Sequence, residues 1–179
     1  MIILMGLAGS GKSTQGQMLA EATGKVWLSA GQVLRDTGDI EVKETLERGE
    51  LVPNELIERL MIDGMLKAVR EEKDVIIDGF PRDVEQAEWL VDNLASVMKI
   101  VIIIDVPKEE LIRRLELRGR SDDTREAIEE RFRIVEQNIY SICETLRRGG
   151  IRIKNVNGVG TPEEVFERIK KVVTEVENE

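Results

Sequence analysis

Histidine does not occur in this chain of 179 residues, and its absence removes every mechanism that uses imidazole as acid, base or metal ligand. Zinc loses its usual ligands as well, so no zinc site is expected. The single cysteine, Cys143, falls on an apolar helical stripe and reads as a buried free thiol, which fits a reducing, cytoplasmic setting. No apolar run approaches the length of a membrane span, and the opening Met1 to Met5 run is too short for a signal-peptide core. Basic charge is also scarce: 26 Lys and Arg against 35 Asp and Glu give a formal net charge of -9. A field of that sign repels nucleic acid and anionic membrane surfaces, so neither is expected as a partner. A small anionic substrate would have to meet positive charge gathered locally.

What is present begins with Gly6-Leu7-Ala8-Gly9-Ser10-Gly11-Lys12-Ser13, a complete G-x-x-x-x-G-K-[ST] phosphate-binding loop after the apolar run Ile2 to Met5. Its glycines let successive amides turn inward, the helix that follows presents its N-terminus to phosphate, and Lys12 reaches the outer phosphoryl groups. Ser13 is the expected magnesium ligand. The alternative is a glycine-rich turn without a ligand.

Three further runs rich in β-branched residues, Val75 to Ile77, Ile100 to Ile104 and Ile151 to Ile153, predict buried parallel strands, and Trp27-Leu28-Ser29 is a candidate fifth. Helices are expected over Lys12 to Thr23, Asn54 to Val69, Val84 to Leu94, Lys108 to Leu117, Thr124 to Arg148 and Pro162 to Val176. The alternation predicts one α/β domain of the P-loop NTPase type, a doubly wound five-stranded parallel sheet with helices on both faces. Between the first and second long strands, residues 29 to 49 look like short helical pieces broken by Gly31, Gly38 and Gly49. That segment is either a mobile subdomain over the site or an ordinary helical connection.

Seven arginines crowd residues 113 to 133 of this acidic chain: Arg113, Arg114, Arg118, Arg120, Arg125, Arg131 and Arg133. Guanidinium forks bind phosphate bidentately and stay charged. Arg131 borders the stripe Ile128, Phe132, Val135, Ile139, Ile142, Leu146 and can turn inward, whereas Arg133 points away. In Arg118-Gly119-Arg120-Ser121-Asp122-Asp123 the aspartates can hold the arginine forks, or one of them can cap the helix starting near Thr124. Asp78-Gly79-Phe80-Pro81-Arg82 follows a strand at the carboxyl edge, where Asp78 can hold waters around magnesium and Arg82 can reach an anionic acceptor.

Together these segments resemble the adenylate kinases and their nucleoside monophosphate kinase relatives over nearly the whole chain. The matching motifs are Gly11-Lys12-Ser13-Thr14-Gln15, Leu28-Ser29-Ala30-Gly31-Gln32-Val33-Leu34-Arg35, Asp78 to Arg82, Arg118 to Asp123 with Arg131, and Asn157-Gly158 with Gly160. The resemblance implies reversible transfer of the ATP γ-phosphoryl group to a nucleoside monophosphate, with magnesium and without a general base. It places ATP on Gly9, Ser10, Gly11, Lys12, Ser13, Thr14, Arg118 and Gly160. The acceptor falls on Ala30, Arg35, Gly79, Arg82, Gln86, Arg120 and Arg131. Catalytic roles fall to Lys12, Arg82, Arg120, Arg131, Asp122 and Asp123, and magnesium to Ser13 and Asp78.

Gln86 matches the adenine-reading glutamine of adenylate kinases, while Ala30 stands where they usually have threonine and UMP/CMP kinases have alanine. AMP is the expected acceptor, since Gln86 offers two base-reading hydrogen bonds and Ala30 none. A UMP/CMP or broad-specificity kinase is the second reading, and an ATP-binding module or switch the non-enzyme one. A mobile acceptor subdomain over about residues 29–58, a minimal lid over about 118–124, and a monomer complete the expectation. The short lid predicts a less sealed donor site.

Overall fold

The computed structural model describes residues 1–50, 52–120 and 123–178, with the element order of an α/β chain. β1 (Ile2–Met5), β2 (Val26–Ser29), β3 (Val75–Asp78), β4 (Ile100–Asp105) and β5 (Ile153–Asn157) form one parallel sheet in the order β2-β3-β1-β4-β5. Between them run α1 (Lys12–Thr23), α2 (Ala30–Asp36), α3 (Ile40–Glu47), α4 (Asn54–Arg70), α5 (Val84–Leu94), α6 (Lys108–Arg118), α7 (Arg125–Arg148) and, after β5, α8 (Pro162–Glu177). Among the described residues no helix is long and apolar enough to cross a membrane.

The sheet is apolar on both faces because helices cover both, and alternate residues serve opposite layers. Ile2, Leu4, Ile76, Ile100 and Ile102 pack with Leu19 of α1, Leu111 and Leu115 of α6, and Ile169 and Val173 of α8. Ile3, Met5, Ile77 and Val101 face Met61 and Met65 of α4, Leu90 of α5, and Ile142 and Leu146 of α7. The register pairs Leu4 with Asp78, so the chain leaves β1 and β3 side by side at the carboxyl edge of the sheet. A ligand crevice belongs there.

Local chemistry explains most boundaries. α8 opens with a reciprocal capping box between Thr161 and Glu164, with Pro162 in its first turn. α5 begins at Asp83, whose carboxylate accepts from the Gln86 amide. α1 is different: it follows Gly11 in the left-handed conformation, has no side-chain cap and carries no acid in its first turn. Its leading amides are therefore left for an anion.

Three sequence expectations need correction. Gly31 lies inside α2 and does not break it, whereas Gly38 (φ 69°) and Gly49 (φ 76°) do interrupt the helical pieces. β5 starts at Ile153, where Ile151 to Ile153 was expected; the Ile151 amide still donates to Leu146 O of α7. Lys154, Asn155 and Asn157 are exposed on this edge strand, so its apolar signal is sparse. Asp123 does not cap α7: Thr124 does, its Oγ1 accepting from the Ala127 amide, and Asp122 lies outside the described residues.

The close packing of α1 on β2 gives a test with an unusual sign. Gly to Ala in a helix interior ordinarily stabilises by about 1 kcal/mol. A Cβ at Gly16 would lie 2.5 Å from Trp27 Cδ1. Overpacking of that kind costs about 1–3 kcal/mol. Gly16→Ala should therefore lower the Tm in a circular-dichroism melt, and a raised Tm would show that the Trp27 ring yields without cost.

Candidate active site

The loop of residues 6 to 13 closes over the end of β1, with Gly6, Gly9 and Gly11 all at positive φ. At Gly6 the need for glycine is steric, since a Cβ would stand 2.6 Å from Ile104 O. Lys12 curls back so that its ammonium donates to Gly6 O and Leu7 O, each at 2.9 Å. Burial, with Arg82 and Arg118 adding to it against Asp78, lowers the Lys12 pKa to about 8. Beside it, Ser13 Oγ donates to Asp78 Oδ2 at 2.6 Å, joining α1 to the end of β3.

These elements floor a cleft of about 430 Å³. Gly9, Ser10, Gly11, Lys12, Ser13 and Thr14 line it from the loop, and Asp78, Gly79 and Arg82 from the segment after β3. Arg35 enters from α2, Arg118 and Arg120 from the end of α6 and beyond, Arg131 from α7, and Gly160 from the turn before α8. Residues from sequence positions 9 to 160 thus meet at one sheet edge. Ala30 and Gln86 are not among the cleft-lining residues; both are buried behind it.

The guanidinium groups are held by named partners. Arg82 spends its Nε on Gly79 O at 2.9 Å, and burial, opposed by Asp78 and reinforced by Arg131 and Arg35, draws its pKa below the ordinary arginine value. The buried Asp123 carboxylate accepts from Arg118 Nε at 2.7 Å and from Arg131 Nη1 at 3.1 Å. Burial pushes the Asp123 pKa upward, but these two cations outweigh it and hold the group below the usual carboxylate range. Arg131 also donates from Nη2 to Leu46 O at 3.0 Å, tying α7 to α3. Arg133 is exposed and pairs with Glu130 and Gln137 on its own helix, as its position off the apolar stripe implies.

Several contributors carry little sequence signal. Arg113 and Arg114 line the cleft, and their hydrogen bonds, Arg113 first, bring Glu110 down to about 2. Arg114 also reaches Gly158 O at 3.1 Å, and Arg168 of α8 donates to Asn157 O and Val159 O. These side chains pin the loop after β5 from two helices. Gln15 donates to Pro162 O at 2.9 Å while its buried Oε1 has no hydrogen-bond partner among the described residues. The contacts to Gly158 O, Asn157 O, Val159 O and Pro162 O could not be read from spacing, because each depends on where a distant backbone carbonyl arrives.

Ser13 and Asp78 offer two hard oxygen groups beside the phosphate loop, a donor set that suits magnesium. Among the described residues no group of three or more acidic or cysteine side chains forms a cage. An ion here would complete its shell with water and the phosphates it accompanies, which is magnesium's usual habit.

The family model described as Adenylate kinase matches residues 4–151. An adenylate kinase of Thermus thermophilus is 39% identical to this chain over 186 aligned positions, covering 94% of each protein. One from Mycolicibacterium smegmatis is 38% identical, covering 93% of this chain and 95% of the relative. One from Parabacteroides distasonis is 34% identical and covers 98% of both.

Lys12 links the cleft to pH. With its pKa lowered to about 8 in the nucleotide-free protein, it binds fewer protons near pH 9 than it would beside a polyphosphate. Through Lys12, nucleotide binding should therefore take up close to one proton at about pH 9, well above the range in which the nucleotide phosphates titrate. Titration calorimetry in two buffers of different ionisation enthalpy measures this, and Lys12→Met should remove the uptake. The same sign makes the nucleotide-free fold gain stability as pH rises from about 8 to 10.5, because the unfolded lysine binds more protons in that window.

Proposed function

The chain belongs to the adenylate kinase family, and on that premise we propose that its cleft carries out ATP + AMP ⇌ 2 ADP. The observation that carries this reading is the convergence of Arg35, Arg82, Arg120 and Arg131 on one cleft opposite the phosphate loop and Lys12. A module that only bound ATP would need the loop but not a second set of phosphate-directed arginines. The non-enzyme reading and the UMP/CMP reading are both disfavoured by relatives that are named adenylate kinases over 94% or more of this chain.

The chemistry is one phosphoryl transfer. An oxygen of the AMP phosphate attacks the γ-phosphorus of ATP, and the bond from that phosphorus to the β-phosphate bridging oxygen breaks, leaving ADP on both sides. The attacking oxygen is already ionised, so no general base is required. Arg35 and Arg82 hold the acceptor phosphate. Lys12, Arg120 and Arg131 surround the transferring group, whose charge spreads over its equatorial oxygens. Asp123 acts through Arg118 and Arg131, keeping their forks aimed before nucleotides arrive; Asp122 is assigned beside it by motif alone. Ser13 and the hydration shell held by Asp78 would bind magnesium, which supplies charge neutralisation across the β- and γ-phosphates.

The excursion from β2 to β3 is assigned as the acceptor subdomain, about residues 29–58, and residues 118–124 as a minimal lid. With the -9 charge and no membrane-spanning helix among the described residues, a cytoplasmic monomer working on free nucleotides completes the proposal.

The test offers Mg-ATP with AMP, UMP, CMP or GMP in separate reactions, beside a reaction with no acceptor, and quantifies diphosphates by chromatography. ADP formed chiefly with AMP is expected; diphosphate made mainly from UMP or CMP would move the acceptor assignment to the Ala30 reading. Arg82→Ala should cut kcat about 100-fold or more while the ATP Kd stays within about threefold. The minimal lid sets a further expectation. The ratio of transfer to ATP hydrolysis should be lower than in a relative with a long lid, and an equal ratio would show that the short connection excludes water as well.

A further inference from the structure

Gln86 sits in the first turn of α5 and is only 2% exposed, yet its side chain is not simply a helix cap. Its Oε1 accepts from the Arg82 backbone N–H at 2.8 Å. Its Nε2 donates to Asn54 Oδ1 at 2.6 Å, across to the first residue of α4 and 32 positions away in sequence. Asn54 in turn donates from Nδ2 to Glu85 Oε2 at 2.6 Å.

The two ends of this relay have fixed polarity. A backbone N–H can only donate, and an ionised carboxylate can only accept. Glu85 therefore dictates which side of the Asn54 amide carries NH2, and so presents the Asn54 carbonyl oxygen to Gln86. Arg82 N–H requires the Gln86 oxygen on its own side. A Gln86 amide turned by 180° would set carbonyl against carbonyl at Asn54 and N–H against N–H at Arg82, losing both bonds and burying unmatched groups. An amide carries two N–H donors and two acceptor lone pairs. One of each is used internally, leaving one N–H and one lone pair whose order along the amide edge cannot reverse.

We propose that Asn54 is a positioning residue that locks the Gln86 carboxamide in the orientation suited to a 6-aminopurine acceptor and against a 6-oxopurine. The inference rests on the reading that Gln86 meets the acceptor base. A 6-aminopurine presents an N–H donor at position 6 and an acceptor at position 1, and a 6-oxopurine presents the reverse pair. Only a reversed amide matches the second, and the Glu85–Asn54 arm opposes reversal. Gln86 thus supplies the contact, and α4 sets its sign.

The experiment compares kcat/KM for AMP and for inosine 5′-monophosphate, with Mg-ATP, in the wild-type protein, Asn54→Leu, the Asn54→Asp, Glu85→Gln double variant and Gln86→Leu. Asn54→Leu should reduce the AMP-to-inosine preference about tenfold, mainly through the two KM values, with kcat for AMP changing little. In the Asn54→Asp, Glu85→Gln double variant an acceptor still faces Gln86 Nε2 and position 85 can donate to the other carboxylate oxygen, so the preference should hold within about threefold of wild type. In NMR spectra the Gln86 side-chain NH2 resonances should be protected from exchange in wild type and in the double variant and lose that protection in Asn54→Leu, a readout independent of turnover. Preference unchanged in Asn54→Leu but lost in Gln86→Leu overturns the role of Asn54 alone. Preference unchanged in Gln86→Leu overturns the assignment of Gln86 to the base. An equal loss in the Asn54→Asp, Glu85→Gln double variant and in Asn54→Leu would mean that the acceptor subdomain is disturbed as a whole, and would also overturn the proposal.

Discussion

Mutual repulsion among cations is the constraint around which this molecule is arranged. Seven arginines and Lys12 line one cleft, and without a bound polyphosphate their charges oppose one another in a partly enclosed space. The fold meets that cost with carboxylates and carbonyls placed at the backs of the guanidinium groups. Asp123 serves Arg118 and Arg131, Glu110 serves Arg113 and Arg114, and Gly79 O takes the Nε of Arg82. These five arginines are thereby held in place by partners from the protein itself. The remaining strain shows at Lys12, whose lowered pKa records both its burial and the neighbouring cations.

The same arrangement reconciles an acidic protein with an anionic substrate. A net charge of -9 repels polyanions at long range, where screening within about 10 Å at ordinary ionic strength makes that field weak. Inside the cleft the local balance is reversed, and the contacts are short. Negative charge predominates in the chain as a whole, while positive charge is concentrated where phosphate must lie.

Side-chain hydrogen bonds unify the two sides of the site. The Ser13–Asp78 bond joins the phosphate loop to the segment carrying Arg82, and the Arg131–Leu46 bond joins the long helix α7 to the excursion between β2 and β3. Gly49 makes the second connection close: a Cβ there would lie 2.5 Å from Ala127 O, so the two elements meet backbone to backbone. Any displacement of that excursion would therefore disturb the fork of Arg131.

What the sequence determined by itself was the local chemistry. The loop from Gly6 to Ser13, the α/β alternation, the concentration of arginine between positions 113 and 133, and the strand-end placement of Asp78 are all consequences of residue type and short spacing. Such signals survive without tertiary knowledge because turn geometry, helix capping and sheet burial act over a few residues. The polar edge strand β5 was only half legible, since its pairing with β4 and not an apolar run makes it a strand. The tertiary structure alone decided which of the crowded arginines enter the cleft, that Asp123 binds forks while Thr124 takes the cap, and that Gln86 is oriented by Asn54 from 32 positions away. Those outcomes depend on which groups long-range packing brings within hydrogen-bond distance. A hydrogen bond spanning about 3 Å cannot be inferred from spacing along the chain when the partner is a carbonyl or amide that any residue could supply.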